Sequence, residues 1–316
     1  MSAPLVSILT PVYNRARFIG HCLSASLAQT FQDFEIVVVD NASTDGTWEI
    51  CRYFAAQDSR IRLFRNSTNI GALPNWRRAF AEARGRLGKI VFSDDLIAPL
   101  CLELTVPALS PDVAFVVTPA EIGAQPGQGI VRYRWKPHSG IFPAEDYFAA
   151  TLDRDSLPVS PVSSLYRLED LRKNLCTDIA SPGIRDFAVH GAGPDLLLSL
   201  LTARSYPQIA FVAEPLAFFR DHPGTLTRFV DGRLSDCYNQ TRIWFGIERG
   251  DKSYSAAALA ATWMRHMREQ HRFIPPHDIK RRFLCDPSAM PTRRLLYGAA
   301  HILSRRLGHH WHSESM

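Results

Sequence analysis

Three short stretches, each following an apolar run, hold residues able to do chemistry: Pro11-Val12-Tyr13-Asn14, Asp40-Asn41-Ala42-Ser43 and Ser93-Asp94-Asp95. In an open α/β sheet the ligand site lies beyond the carboxyl ends of the strands. If those apolar runs are neighbouring strands, three carboxylates and an aromatic ring converge on one edge. Like charges that close are costly until a cation joins them. A divalent metal with a phosphorylated ligand meets that need, because carboxylates are hard oxygen donors.

The chain around them alternates between two periodicities. Leu5–Thr10, Phe34–Val39, Ile61–Arg65, Lys89–Ser93 and Val113–Thr118 are β-branched and apolar without in/out alternation. Between them Phe18–Gln29, Thr44–Ala56 and Leu73–Ala83 repeat at helical spacing. Unalternating strands separated by helices predict a mostly parallel α/β sheet covered on both faces. Beyond Thr118 the signal loosens. Gly123–Gly129 predicts a surface turn, Glu145–Leu152, Glu169–Leu175 and Asp195–Ala203 predict short helices, and Ile209–Phe219 one or two strands. From Leu234 the pattern is helical, broken at Pro275-Pro276, Pro287 and Pro291. The expected organisation is 1–120, 121–235 and 236–316.

Composition narrows the class. A chain of 316 residues with 46% apolar and 21% charged side chains folds, and is not a disordered chain. No stretch approaches the roughly 18 consecutive apolar residues of a spanning helix. No basic n-region and h-region open the sequence, which predicts a chain that stays in the cytoplasm. Six scattered cysteines without a CxxC pair predict reduced thiols, not zinc ligands or a disulfide framework. The net charge of +5 is concentrated in residues 251–316, which carry 11 Lys/Arg against 5 Asp/Glu. A basic tail on a near-neutral body predicts an anionic surface as partner rather than a wholly basic nucleic-acid binder.

Several nucleotide and hydrolase motifs are absent. No GxGxxG follows the first strand, and there is no GxxxxGK[ST], GxSxG or HExxH. Without a glycine nest, phosphates must be neutralised by metal and cationic side chains. At this point the sequence resembles the family 2 glycosyltransferases of GT-A fold. The resemblance is carried by Val6–Asn14, Gln29-Thr30-Phe31, Glu35–Thr47, Asn69-Ile70-Gly71 with Asn75-Trp76 and Gly85, and Ser93–Pro99. Gly193–Leu198 and Pro215–Thr227 extend it into the acceptor half, so it covers about residues 4–228 but not the tail.

The resemblance implies a role for each candidate. Asp94-Asp95 matches the DxD-type motif in a variant whose first position is Ser93. Asp95 would bind Mn2+ or Mg2+, and Asp94 would lie nearer the ribose or the metal's water shell. The alternative is a turn in which either carboxylate caps the next helix. Asp40 would accept the imide N–H of uracil or thymine, with Tyr13 stacking on the base and Pro11 shaping that wall. Asp195 would be the general base of an inverting transfer, although Pro194 replaces the usual acidic neighbour; an N-terminal capping role fits the same residue. His222 would complete the metal shell or touch the diphosphate, or be structural. Arg220 would offset phosphate charge or pair with Asp221. Arg77 and Arg78 are expected to be solvated, Trp76 to be core, and Asp45 to cap a helix.

These roles describe a metal-dependent enzyme that transfers sugar from a UDP- or dTDP-sugar to a glycan acceptor, possibly lipid-linked. Two other classes fit less well: a nucleotidyltransferase of related fold, which lacks its glycine-rich loop here, and a catalytically silent nucleotide-sugar-binding module. In the tail, a 100° step from Arg293 to Leu307 places Leu295, Leu296, Ala299, Ala300, Ile302, Leu303 and Leu307 on one face. Arg293, Arg294, His301, Ser304 and Arg305 fall on the other, with Arg306 an exception. That pattern suits either an anionic membrane surface or packing on the catalytic domain.

Overall fold

The computed structural model describes residues 3–152, 156–180, 191–225 and 233–300. The first strand, β1 (Val6–Val12), is buried along its whole length and runs two residues past the expected end. β2 (Phe34–Asp40) is buried throughout as well. With β3 (Ile61–Arg65) and β4 (Leu87–Ile90) they form a parallel array in the order β3-β2-β1-β4. Helices α1 (Ala16–Leu27), α2 (Thr47–Gln57) and α3 (Ala72–Glu82) make the crossovers.

Alternate residues of these strands feed two cores. Val6, Ile8, Ile36 and Val38 pack with Ile19 and Leu23 of α1 and Cys51 of α2. Leu9, Val37 and Val39 pack with Leu73, Trp76 and Phe80 of α3 on the opposite face. Burial of both faces is what makes the strands read as continuous apolar runs.

Beyond β4 the sheet is mixed. β5 (Leu96–Ile97) and α4 (Cys101–Thr105) precede β6 (Val113–Val117), β7 (Ala120–Gly123), β8 (Ile130–Arg132) and β9 (Gly140–Pro143). Helix α5 (Ala144–Thr151), β10 (Ser164–Arg167), α6 (Leu168–Asn174), α7 (Pro194–Ala203), β11 (Gln208–Phe211) and β12 (Ala217–Arg220) follow. The main sheet continues β4-β10-β6-β11-β9, with β10 antiparallel to both its neighbours. A second sheet, β5-β12-β7-β8, uses the Gly123–Gly129 turn as a hairpin connection. The α/β class holds, and the parallel character belongs to the first four strands.

The C-terminal helices are α8 (Arg233–Glu248), α9 (Lys252–Glu269), α10 (Pro276–Phe283) and α11 (292–300). Ile243, Leu259, Trp263, Phe283 and Leu295 share a core of their own, while Phe245 of α8 joins the core of the main sheet. Asp236 binds Arg265 and accepts hydrogen bonds from His266 and Arg282, both at 2.9 Å, tying α8, α9 and α10 together. The tail's expected apolar face is divided. Leu295 and Ala299 are buried, whereas Leu296 is half exposed. Residues from His301 onward, the His309-His310-Trp311-His312 cluster, and Leu226 and Thr227 lie outside the described residues.

The turns after β1 and β2 are fastened to one another. Asn14 donates its backbone N–H to Ser43 Oγ at 2.9 Å, and Thr44 returns one to Asn14 Oδ1 at 2.9 Å. Asp45 accepts from Thr47 N at 3.1 Å and from Ala16 N at 3.0 Å, so one carboxylate serves the first turns of both α1 and α2. Burial would raise this carboxyl, but the bonds from Thr47 and Ala16 hold it below the ordinary range. Asp45→Ala is expected to cost about 1–2 kcal/mol, the size of a lost helix cap. Because the folded carboxyl is depressed, its contribution is present above about pH 4 and lost as pH falls. Urea melts of both proteins at neutral and acidic pH check this, the difference closing in acid.

Candidate active site

Backbone geometry places the first two walls. Asn14 and Ala42 adopt φ of 50° and 63°, the left-handed region, in the turns that end β1 and β2. Such strain is held only where the surroundings over-determine it, and the Asn14–Ser43–Thr44 bonds do so. Tyr13 is thereby left 41% exposed at the rim. It borders a cleft of about 650 Å3 shared with Pro11, Arg15, Asn41, Asn69, Trp76 and Asp94.

Behind that wall sits a lattice of asparagines. Asn41 donates to Asn69 Oδ1 at 2.8 Å and Gly71 O at 3.2 Å, and accepts from Ile70 N at 3.0 Å. Asn66 donates to Asn41 and Asn75 at 2.8 Å, and Asn75 donates to Val39 O at 3.0 Å. Backbone partners fix the orientation of these amides, so the lattice is rigid as well as satisfied. Arg78 joins it through Asn66 Oδ1 and Arg65 O, and is therefore not the solvated cation the sequence predicts; Arg77 is exposed.

Asp40 has no exposed surface. Its carboxylate meets Arg65 Nε at 3.0 Å and accepts from Ser43 N at 3.2–3.3 Å. The neighbouring Asn41, rather than Asp40, lines the cleft.

The acid pair owes its surroundings to the second sheet. β5 begins immediately after Asp95 and pairs antiparallel with β12, Ala217 opposite Ile97 and Phe218 opposite Leu96. That register delivers Arg220 and His222 to the carboxylates. Arg220 N donates to Asp95 Oδ1 at 3.1 Å, and Arg220 Nε donates to Asp94 O at 3.1 Å. Arg15 Nε and His222 Nε2 approach Asp94 Oδ2 at 3.3 and 3.2 Å. His222 Nδ1 accepts from Gly224 N at 3.1 Å, which leaves the ring proton on Nε2, facing Asp94. Burial, and then the charge of Asp94, push the Asp95 carboxyl well above its ordinary range, opposed by Arg220 and Arg15.

Among the described residues no group of three or more His, Cys, Asp and Glu side chains could hold a metal ion alone. An acid pair whose ionisation is opposed by its own charges still fits Mg2+ or Mn2+, which commonly use one or two carboxylates and take further ligands from substrate phosphates.

Asp195 lies at the second position of α7, buried and away from the acid pair in sequence. Its Oδ1 accepts from Gly193 N at 2.9 Å and Leu196 N at 2.7 Å. Its Oδ2 accepts from the Tyr238 hydroxyl of α8 at 2.8 Å. Burial raises the carboxyl to about 7, against these three donors, and burial with Asp195 raises the Tyr238 hydroxyl further. The start of α7 reaches the cleft through Trp76. Gly191, at φ 77°, is so close to the indole that a Cβ would stand 2.9 Å from it. Trp76 is thus core, as the sequence predicts, and cleft wall at once.

Arg15, the asparagine lattice and Tyr238 are absent from the candidates read in the sequence. The Asn69…Asn75 spacing was the available signal for the lattice; nothing near residue 238 marks a partner 43 positions away.

Comparison with known proteins gives the following. The family model for glycosyl transferase family 2 matches residues 7–174. Glycosyltransferase GlyG of Streptococcus pneumoniae serotype 4 is 35% identical over 99 residues, 31% of this chain and 33% of that protein. TuaG of Bacillus subtilis, whose name assigns it to teichuronic acid biosynthesis, is 31% identical over 137 residues, 43% of this chain and 54% of that protein. The matched stretches thus span a third to about a half of these curated relatives. S. aureus TarS 1–349 solved with UDP-GlcNAc superposes with a TM-score of 0.65 at 16% identity, covering 96% of this chain and 92% of that one. The same protein with UDP gives 0.60 at 19%, covering 84% and 72%. At that identity the likeness is one of fold, the GT-A architecture.

A folded carboxyl raised to about 7 stabilises the protein below pH 4 and loses that contribution as pH rises through 7. Asp195→Asn should therefore flatten the melting temperature between about pH 4 and 7, relative to a wild type that declines. Tyr238→Phe removes a donor to the ionised form and should move that decline to higher pH. Melting curves at closely spaced pH values read both.

Proposed function

The chain belongs to glycosyl transferase family 2, and from that premise we propose that it moves a sugar from a UDP- or dTDP-sugar onto a hydroxyl of a glycan acceptor, with inversion. The observation that carries this reading is the acid pair Asp94-Asp95 beyond the parallel array, of which Asp94 lines a cleft walled by Pro11, Tyr13 and Trp76. In this reading Asp95 holds Mn2+ or Mg2+ and Asp94 lies toward the ribose. A bound divalent ion would offset the charge of the departing diphosphate. Arg15 and Arg220 add fixed positive charge beside it, in a site whose polar groups are already oriented.

The bond changes follow simply. The acceptor oxygen forms a bond to the anomeric carbon as the bond to the diphosphate oxygen breaks, and Asp195 takes the acceptor proton. A carboxyl held near 7 suits a general base at neutral pH, being ionised in a useful fraction yet basic enough to accept a proton. His222 would have to give up its Nε2 proton to ligate an ion; against Asp94 it can instead donate to that carboxylate.

The donor half rests on the parallel array and the acceptor half on the segment from 121 to 235, with the residues from 236 as an extension that is helical in its described part. A place in surface-polysaccharide assembly is supported by the TuaG likeness; a free or lipid-linked acceptor at the cytoplasmic side belongs to the same proposal. The six free thiols fit a reducing compartment. No helix among the described residues is long and apolar enough to cross a membrane.

Release of nucleoside diphosphate from a panel of UDP- and dTDP-sugars, with and without divalent metal, tests the reaction. Asp95→Asn should abolish metal-dependent nucleotide binding and turnover together. Asp195→Asn should lower transfer by about 10²–10⁴-fold while leaving nucleotide affinity unchanged. Full activity of either variant removes its role, and an inactive wild type across the panel favours a silent binding module.

The base contact has its own test. Asp40 can meet an imide N–H only if Arg65, itself 40% exposed, yields an edge of the carboxylate. Asp40→Ala should then weaken UDP by about 1–3 kcal/mol in calorimetry. Unchanged affinity transfers base recognition to the Asn41–Asn69 wall.

A further inference from the structure

The basic character of the tail has a specific location. α9 and α11 cross so closely at Gly298 that a Cβ there would stand 3.1 Å from Ala256 O and 3.2 Å from Ala260 Cβ. Leu295 and Ala299 turn into the C-terminal core, which leaves the opposite side of α11 to solvent. Along that side run Arg293, Leu296, Tyr297 and Ala300, three and four residues apart, with Tyr297 77% exposed.

Between this side and the first turn of α9 lies a cleft of about 760 Å3 lined by Lys252, Ser253, Ala256, Arg293, Arg294 and Tyr297. Lys252, Arg293 and Arg294 are exposed, and none of them forms an ion pair with a carboxylate among the described residues. Asp251, the acid beside Lys252 in sequence, is already used: its Oδ1 accepts from Ser253 N and Tyr254 N at 3.0 and 2.9 Å, and its Oδ2 lies 3.9 Å from Arg249.

We propose that this cleft is where the protein docks on an anionic phospholipid surface, with Lys252, Arg293 and Arg294 on headgroup phosphates and Leu296 and Tyr297 against the glycerol and upper acyl region. Charge complementarity selects the occupant. Three unneutralised cations around an apolar floor match a phosphate joined to an apolar body. A tyrosine with an apolar ring and polar tip is suited to that boundary. The cleft is also far larger than one phosphate ion needs. Neither the acid pair nor Asp195 enters the argument, so the proposal stands or falls apart from the transfer reaction.

The experiment is co-sedimentation of the full chain with phosphatidylcholine vesicles, with and without phosphatidylglycerol, across a salt series. Wild type should bind the phosphatidylglycerol vesicles selectively and release with salt. Replacing Lys252, Arg293 and Arg294 together by Ala should weaken binding on the order of 100-fold. Tyr297→Ser should weaken it at unchanged charge. UDP affinity and melting temperature should not move in either variant. If the triple variant melts early, Arg293→Gln, at an exposed position, carries the comparison. Equal binding to both vesicle types, or undiminished binding of the variants, overturns the proposal. So does displacement by inorganic phosphate at matched ionic strength, which would make the cleft a site for a soluble anion.

Discussion

Two strand-ending turns cannot be built independently in this protein. The backbone at Asn14 and at Ala42 sits where L-residues are strained, and each turn supplies the hydrogen bonds that hold the other there. Asp45 and Thr47 complete the joint by taking the free N–H groups at the start of α1. The parallel pairing of β1 with β2, in register to Val12 opposite Asp40, brings the two turns side by side. Tyr13, Arg15 and Asn41 inherit their positions from that joint, and so does the shape of the cleft.

Around this joint the buried asparagines are each partnered by side chain or backbone. The four asparagines tie the end of β2 to the start of α3 without using a formal charge. Some buried charges come in opposed sets, as with Asp40 and Arg65 or Asp236 with Arg265 and Arg282. At Asp94 and Asp95 the two arginines only partly offset burial and mutual repulsion, which keeps the Asp95 carboxyl reluctant to ionise.

β1, β2 and the three crossover helices are legible because each is long and in phase with its neighbours, whereas β4, expected at Lys89–Ser93, lies at Leu87–Ile90. The same alternation marks Asp40, Asp94 and Asp95 as residues at or just beyond strand ends. β5, β8, β9 and β10 were not legible, since runs of two to four residues carry no periodicity and their pairing depends on distant partners. Missing β5 concealed why Arg220 and His222 meet the acid pair. The tail shows the opposite failure. Its amphipathic stripe can be followed only as far as Ala300, and a stripe does not say which half of it meets protein. Gly298 and the packing of Leu295 against α9 divide it. Asp195 enters as a candidate through the family resemblance, whereas its hydroxyl donor on α8 has no local signal in the sequence.

That donor has a consequence for how the protein could diversify. Tyr238 stands on the first helix of the extension, and Phe245 on the same helix enters the core of the main sheet. A lineage that exchanged this extension for another, as though it were an interchangeable cassette, would also change the polarity around Asp195 and loosen the wall behind α7. Recombination breakpoints should therefore be tolerated after α8 and selected against before it, which would make the helix inherit with the sheet rather than with the tail.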